Sequence, residues 1–169
     1  MLLNTERLTL KKIDNCDKNR LVDLMKDSTI ARYLSDVPFP YTETDADNWI
    51  ERVKIEEFEL NIFLANNLIG GLGLTSERDG FYYLGYWLGV EFRGHGYATE
   101  AARELIDYFC RKMPTKKIRA RAYKNNDESI NVLKKIGFQP VGESEIYSKS
   151  RKQTVPCMEF ALRETLQMF

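Results

Sequence analysis

The sequence is short of the residues that build metal centres and disulfide frameworks. It has one histidine, His95, and three cysteines, Cys16, Cys110 and Cys157, with no Cys-x-x-Cys spacing. One histidine and three scattered thiols do not make a tetrahedral zinc set, so no metal is expected. An odd number of distant cysteines suits reduced, packed thiols of a cytoplasmic protein. Net charge is missing too, since 25 basic and 25 acidic residues cancel. A chain that grips nucleic acid through phosphates carries a basic excess, so no nucleic-acid partner is expected. No apolar run approaches the roughly 20 residues that span a bilayer. The opening MLLNTERLTL meets charge within a few residues, so neither a secretory leader nor a membrane partner is expected. Repeats, low-complexity tracts and Gly/Ser linkers are also absent, which leaves 1–169 as one expected domain. What is present is 43% hydrophobic and 30% charged residues over 169 positions, enough for a globular fold with a real core.

Periodicity supplies the elements. RLTLKKI (7–13) alternates as a half-buried strand does, and Asp17 to Leu34 suits helix, in one piece or two. DVPFPYT (36–42) carries two prolines and reads as a loop. Thr42 or Thr44 caps a second helix running roughly from Asp45 to Glu57. LNIFLANNLIGGLGLTSE reads as two strands joined at Asn66-Asn67, and FYYLGYWLGV as a third after the turn at 78–80. Ala98, Ala101, Ala102, Leu105, Ile106 and Phe109 then fall on one face of a four-turn helix. KIRARAY is a strand, Asn126 to Ile136 a helix ending at Gly137, and FQPVGESEIY and VPCMEFALR two more strands. The order β-α-α-β-β-β-α-β-α-β-β implies an α/β (α+β) fold, a mixed sheet with helices on both sides.

EFRGHGYATEAA (91–102) joins the third of these strands to the four-turn helix. Gly94 and Gly96 can serve a plain turn, since glycine takes positive φ cheaply. They can also strip side chains from a helix N-terminus whose N–H groups and dipole attract an anion. The dinucleotide fingerprint fails because Thr99 stands where its third glycine belongs, and no Gly-Lys-Ser/Thr follows.

YWLGVEFRGHGYATEAARELIDYF (86–109) resembles the acetyl-coenzyme-A-binding segment of the GNAT superfamily of N-acetyltransferases, and is most similar to the RimJ/RimL-like branch. The superfamily's Q/R-x-x-G-x-G/A signature falls on Glu91 to Gly96. Both glycines match, and Glu91 departs at the first position. NDESINVLKKIGF (126–138) is similar to the branch's N-x-x-S-x-x-V-L-x-K-x-G-F helix, and TERLTLKKID and PFPYTETDADNWI also resemble that branch. The resemblance implies a mostly antiparallel sheet of about seven strands, with a splayed strand pair admitting acetyl-CoA as co-substrate. It implies that the pantetheine arm pairs with backbone at Trp87, Leu88, Gly89 and Val90. The pyrophosphate would rest on N–H groups from Arg93 through Gly94, His95, Gly96 and Tyr97 to Ala98. The Arg93 side chain either adds charge for a phosphate or stays a solvated loop arginine. His95 sits at a variable position of the loop, where backbone faces the phosphates and the ring faces out. Cys110 and Cys157 as acyl carriers would need that same histidine.

Many members place a tyrosine acid four residues before the Gly-Phe pair; here that position is Leu133. The branch carries a serine earlier in the helix, which makes Ser129 the candidate general acid, against an ordinary first-turn residue. Asn126 resembles the branch's pantetheine contact, against a helix cap. Where the branch often has a glutamate base before IGYW, this chain has Tyr83, a phenol with a solution pKa near 10 and a poor base. Water relayed to Glu77 or Asp79, or an amine arriving neutral, would serve instead. The acceptor implied is a primary amine, either a protein N-terminal α-amine or a small amine such as a polyamine, amino acid or aminoglycoside. Tyr83 also leaves room for a silent member that only binds acyl-CoA. Phe39 and Tyr41 are the expected substrate contacts, Trp49 the core face of its helix, and Asp36, Glu43 and Asp45 acidic neighbours for a cationic acceptor. Monomer and homodimer are both compatible with the sequence.

Overall fold

The computed structural model describes residues 1–163. Two short strands, β1 (Leu2–Asn4) and β2 (Leu8–Lys11), lead through a 3₁₀ turn into helices α1 (Lys18–Met25), α2 (Ser28–Ala31) and α3 (Glu43–Ile55). Strands β3 (Glu59–Leu64), β4 (Asn67–Ser76) and β5 (Tyr82–Leu88) follow, then α4 (Tyr97–Lys112), β6 (Ile118–Tyr123), α5 (Asp127–Lys135), β7 (Phe138–Ser148) and β8 (Gln153–Leu162). One sheet holds all eight strands in the order β1-β2-β3-β4-β5-β6-β8-β7. Every neighbouring pair is antiparallel except β5 and β6.

The expected order holds, with one added strand, one shifted turn and two open alternatives resolved. A first strand, β1, pairs along β2 and raises the count from about seven to eight. The helical stretch after Asp17 divides because Asp27 caps a new helix, accepting from the Thr29 amide at 2.8 Å. The β3–β4 turn falls one residue earlier than expected, on Ala65 and Asn66, whose φ angles of 46° and 67° suit a two-residue hairpin. Thr42, not Thr44, caps α3, in a reciprocal capping box with Asp45.

Alternation along the strands sends side chains to two cores. Leu84 and Leu88 of β5, Ala120 of β6 and Phe160 of β8 face α4 and α5, where they meet Leu105, Phe109 and Leu133. Phe109 is packed edge-on against Phe58 and tilted on Tyr82, with centroids 4.9 and 4.7 Å away. Its burial alone is worth about 1.5–3 kcal/mol. The opposite face carries Trp87, Phe63 and Leu68 under α1, α2 and α3, against Leu21, Met25, Ile50 and Val53. A Cβ on Gly70 would run into the Trp87 carbonyl, and one on Gly71 would lie 2.6 Å from the Trp87 indole nitrogen. The bare stretch of β4 therefore lets β5 and its tryptophan sit close.

The β1–β2 turn is clamped to α4 by one carboxylate. Glu100 receives the Arg7 amide at 2.9 Å, the Arg7 guanidinium at 2.7 Å and the Thr5 hydroxyl at 2.5 Å. Burial pushes the Glu100 carboxyl up, but the Thr5 and Arg7 hydrogen bonds outweigh it and hold its pKa below the ordinary value of 4.5.

Two outcomes follow. Gly70→Ala should cost about 1–3 kcal/mol in denaturant unfolding, because the neighbour it meets is backbone. A cost under about 0.5 kcal/mol would show that β4 and β5 can separate without penalty. A depressed carboxylate stabilises the fold above its unfolded pKa and loses that contribution as pH falls through the folded pKa. The gap in thermal midpoint between the wild type and Glu100→Gln should thus be largest near pH 7 and close towards about pH 3. An equal gap at both pH values would remove the charge from the clamp.

Candidate active site

The parallel ladder between β5 and β6 contains three pairs, Tyr82↔Ile118, Tyr83↔Arg119 and Leu84↔Ala120, and then stops. β5 continues to Leu88 against β4, while β6 continues to Tyr123 against β8. Backbone polarity in the opening follows from alternation. The Tyr82 amide donates to Lys117 on the β6 side at 3.0 Å, and the Gly89 amide to Ile69 on the β4 side at 2.8 Å. Tyr86 and Leu88, in phase with Tyr82, therefore turn their N–H and C=O groups to the opening. Trp87 and Gly89 turn theirs to β4, and the Trp87 side chain is buried beneath α1–α3.

Past β5, Gly89 packs where a Cβ would meet Leu24 at 2.7 Å, and a 3₁₀ turn runs from Val90 to Phe92. Gly94 and Gly96 then take φ of 76° and 81°, and Gly96 is the N-cap of α4 without a side-chain cap bond. The first bond of the helix is from the Glu100 amide to the Gly96 carbonyl at 3.0 Å. The N–H groups of Tyr97, Ala98 and Thr99 come before it and point out of the helix end. The loop is held from outside by Arg7, which donates to the His95 carbonyl at 3.0 Å and lies 4.6 Å over the Tyr97 ring. His95 is exposed and stacked on Tyr97 at 5.6 Å. Arg93 is half-buried near Asp27, whose carboxyl is held low first by the Thr29 hydrogen bonds and then by the Arg93 charge. Glu91, the position that departs from the signature, pairs with Arg20 at 2.9 Å.

Across the opening, α5 begins at Asn126, whose side chain accepts from the Ser129 amide at 3.2 Å as a cap. The Ser129 hydroxyl lies 2.9 Å from the Tyr86 hydroxyl, which also donates to the Ser129 carbonyl at 3.1 Å. Burial pushes the Tyr86 phenol up to about 12, with the Ser129 bond pulling the other way. Leu133 is core. Tyr86 is the partner that the sequence hid, since it stands inside an apolar strand. Its signal was the phase it shares with Leu84 and Leu88.

The other face of the opening is charged. Arg121, one residue past the last β5–β6 pair, binds Glu159 at 2.6 Å and Glu77 at 2.7 Å. The second Glu159 carboxylate oxygen is buried without a hydrogen-bond partner. Tyr83 is turned to the closed end of the sheet, donating to Asp79 at 2.9 Å, and burial followed by that bond raises its pKa. Glu77 and Asp79 are thus both engaged. Burial also raises the Cys110 and Cys157 thiols.

A cavity of about 370 Å³ lies beyond, between α2 and the β7–β8 turn, with Phe39 in its wall. Tyr41 is not in it. It is buried in the α1–α3 core, where burial raises its hydroxyl. Trp49 packs against the same core with Arg52 over its ring at 4.4 Å. Asp36 pairs with Lys149 at 3.4 Å, Asp45 serves the α3 cap and Glu43 faces Lys18 at 3.8 Å, so none of the three lines the cavity. Among the described residues, no group of three or more His, Cys, Asp and Glu could hold a metal, and no helix is long and apolar enough to cross a membrane.

Comparison with known proteins agrees with this geometry. Residues 7–139 match the family model described as Acetyltransferase (GNAT) domain. The chain is 29% identical over 168 residues to the uncharacterized N-acetyltransferase p20 of Bacillus licheniformis, covering 95% of this chain and 94% of that one. A GNAT-family acetyltransferase structure from Bacillus anthracis superposes with a TM-score of 0.84 at 23% identity, over 98% of this chain and 99% of that chain. RimL, described as a ribosomal L7/L12 alpha-N-protein acetyltransferase in complex with coenzyme A, superposes with a TM-score of 0.79 at 16% identity, over 97% and 99% of the two chains. A sheet that opens beside an uncapped glycine N-terminus, on a chain matched over this length, belongs to the GNAT acetyltransferase family, and the protein is an N-acetyltransferase.

Proposed function

We propose that this chain moves an acetyl group from acetyl-CoA to a primary amine by direct attack in a ternary complex. The observation that carries the reading is the ladder that ends at Leu84↔Ala120 beside the glycine N-terminus of α4. Acetyl-CoA supplies an activated thioester on an arm long enough to reach from the loop to the opening. The N–H groups of Tyr97, Ala98 and Thr99, with Gly94 and Gly96 clearing the approach, suit its pyrophosphate. The backbone groups of Tyr86 and Leu88 suit the amides of the arm, which enters as an added strand. A backbone N–H at the opening would hold the oxygen on which charge builds as the amine adds.

Two sides of the sheet then divide the chemistry. On the helix side, Ser129, oriented by Tyr86, gives a proton to the departing sulfur. On the charged side, the incoming amine meets the wall formed by Arg121 and Glu159 and gives up its proton to solvent. Tyr83 takes no part, being fixed to Asp79 as a phenol that stays protonated. Asn126 caps α5 and so sets the position of Ser129. The alpha-N-protein activity in the description of RimL supports an α-amine as acceptor. The free Cys16, Cys110 and Cys157 support a reducing, cytoplasmic setting.

Acetyl-CoA at about 100 times its Kd should stabilise the protein by ~2.7 kcal/mol. Gly96→Glu should erase that shift by placing a carboxylate, at positive φ, where phosphate belongs. Undiminished stabilisation in this variant would remove the loop from the binding site. Ser129→Ala should lower kcat roughly 10- to 100-fold with the KM for acetyl-CoA within about twofold, read by thiol release. An unchanged kcat would return Ser129 to the first turn of its helix.

A further inference from the structure

The cavity between α2 and the β7–β8 turn is lined by Ser28, Arg32, Phe39, Ser150, Arg151 and Gln153. Two guanidinium groups, two hydroxyls and an amide line it, and no carboxylate does. Its walls are fixed by bonds to main chain. The Lys149 amide donates to the Ser35 carbonyl at 2.9 Å, the Ser150 hydroxyl to Ala31 at 2.8 Å, and the Arg151 Nε to Arg32 at 3.0 Å.

The two arginines crowd one ring. The Arg32 guanidinium lies 6.0 Å and the Arg151 guanidinium 5.5 Å from the centre of Tyr33, and Arg151 is also 4.9 Å from Tyr123. Two like charges lining one cavity are favoured by an anion placed among them. The ion pairs of this region join Lys149 to Asp36, Lys124 to Glu143 and Arg121 to Glu77 and Glu159. Among the described residues neither Arg32 nor Arg151 has a carboxylate within ion-pair distance, and one Arg151 Nη nitrogen is buried without a partner. The site also has a neighbour. A second cavity, of about 320 Å³, shares Arg151 and Gln153 with the first and extends to Asn125, next to the Asn126 cap of α5. A molecule lying across both would run from Arg32 past Arg151 to Lys124 and Asn125, the two residues before that cap.

We propose that the acceptor is a primary amine that also bears an anionic group, a carboxylate or a phosphate, which docks between Arg32 and Arg151 while the amine reaches the opening. The inference rests on the acetyltransferase reading and adds the acceptor's charge. Planar guanidinium groups give paired, charge-assisted hydrogen bonds to such oxyanions, and Ser28 places a hydroxyl beside them.

The test uses matched acceptors that differ only in that charge. N-terminal peptides with Glu or Gln at the second position form one arm. Free β-alanine against β-alaninamide, and phosphoethanolamine against ethanolamine, form the small-molecule arms and tell a protein source from a free metabolite. In at least one arm the anionic member should be acetylated with a kcat/KM about tenfold or more above its neutral partner. Arg32 is exposed, so Arg32→Gln and Arg32→Glu should fold normally by circular dichroism. Arg32→Gln should weaken the preference and Arg32→Glu abolish or invert it, through KM for the acceptor, with KM for acetyl-CoA within about twofold. Equal rates within every pair, or a preference that survives in folded Arg32→Glu, would overturn the proposal and leave the acetyltransferase reading in place. Transfer to none of the acceptors, together with no stabilisation by acetyl-CoA, would overturn both.

Discussion

The parallel ladder between β5 and β6 ends after three residue pairs, and the backbone beyond Leu84 must find partners elsewhere. On one edge β5 stays fully paired with β4, held close by the bare stretch at Gly70 and Gly71. On the other edge β6 leaves with β8. Tyr86 and Leu88 are left with polar groups facing a gap that neither strand closes. Strand edges usually invite another strand. Here the gap lies inside the sheet, so what fits is narrow, extended and rich in amides. The positive end of α4 stands at one mouth of that gap, and the rest of the site is arranged around these two facts.

The opening also separates two kinds of side chain. Even-numbered side chains of β5 face α4 and α5, which is why Tyr86 meets Ser129. Odd-numbered positions face the other way, where Arg121, Glu159, Tyr123 and Arg151 lie. One strand with a period of two thus presents a hydroxyl pair on one face and a charged wall on the other. Gly85, on the charged side, adds no side chain, and space is open where a Cβ would be.

Much of this was legible because it is local. The glycines at 94 and 96, the apolar face of α4 and the capping residues Thr42 and Asn126 are each read from a few neighbours in sequence. The missed residues act over distance. Arg7 and Glu100 are 93 positions apart, and neither pattern nor composition pairs them. Tyr86 looked like one more apolar strand residue until α5 was set against it. Arg32 and Arg151 share a ring only because the β7–β8 turn folds back on α2. Tyr41 failed in the opposite sense: its loop position suggested a surface role, but the loop tucks that ring into the core while Phe39 stays out.

The β7–β8 turn is fastened to α2 through carbonyl oxygens of Ala31, Arg32 and Ser35. Carbonyl oxygens are the same for every residue type, so exchanging the side chains at 31, 32 or 35 leaves those anchoring acceptors in place. The width of the cavity is thereby decoupled from the side chain at 32, while Ser150 and Arg151 both line the cavity and hold its walls. If the cavity holds the acceptor's anion as proposed, a change at position 32 alone would alter which amine fits, with the anchoring carbonyls inherited intact.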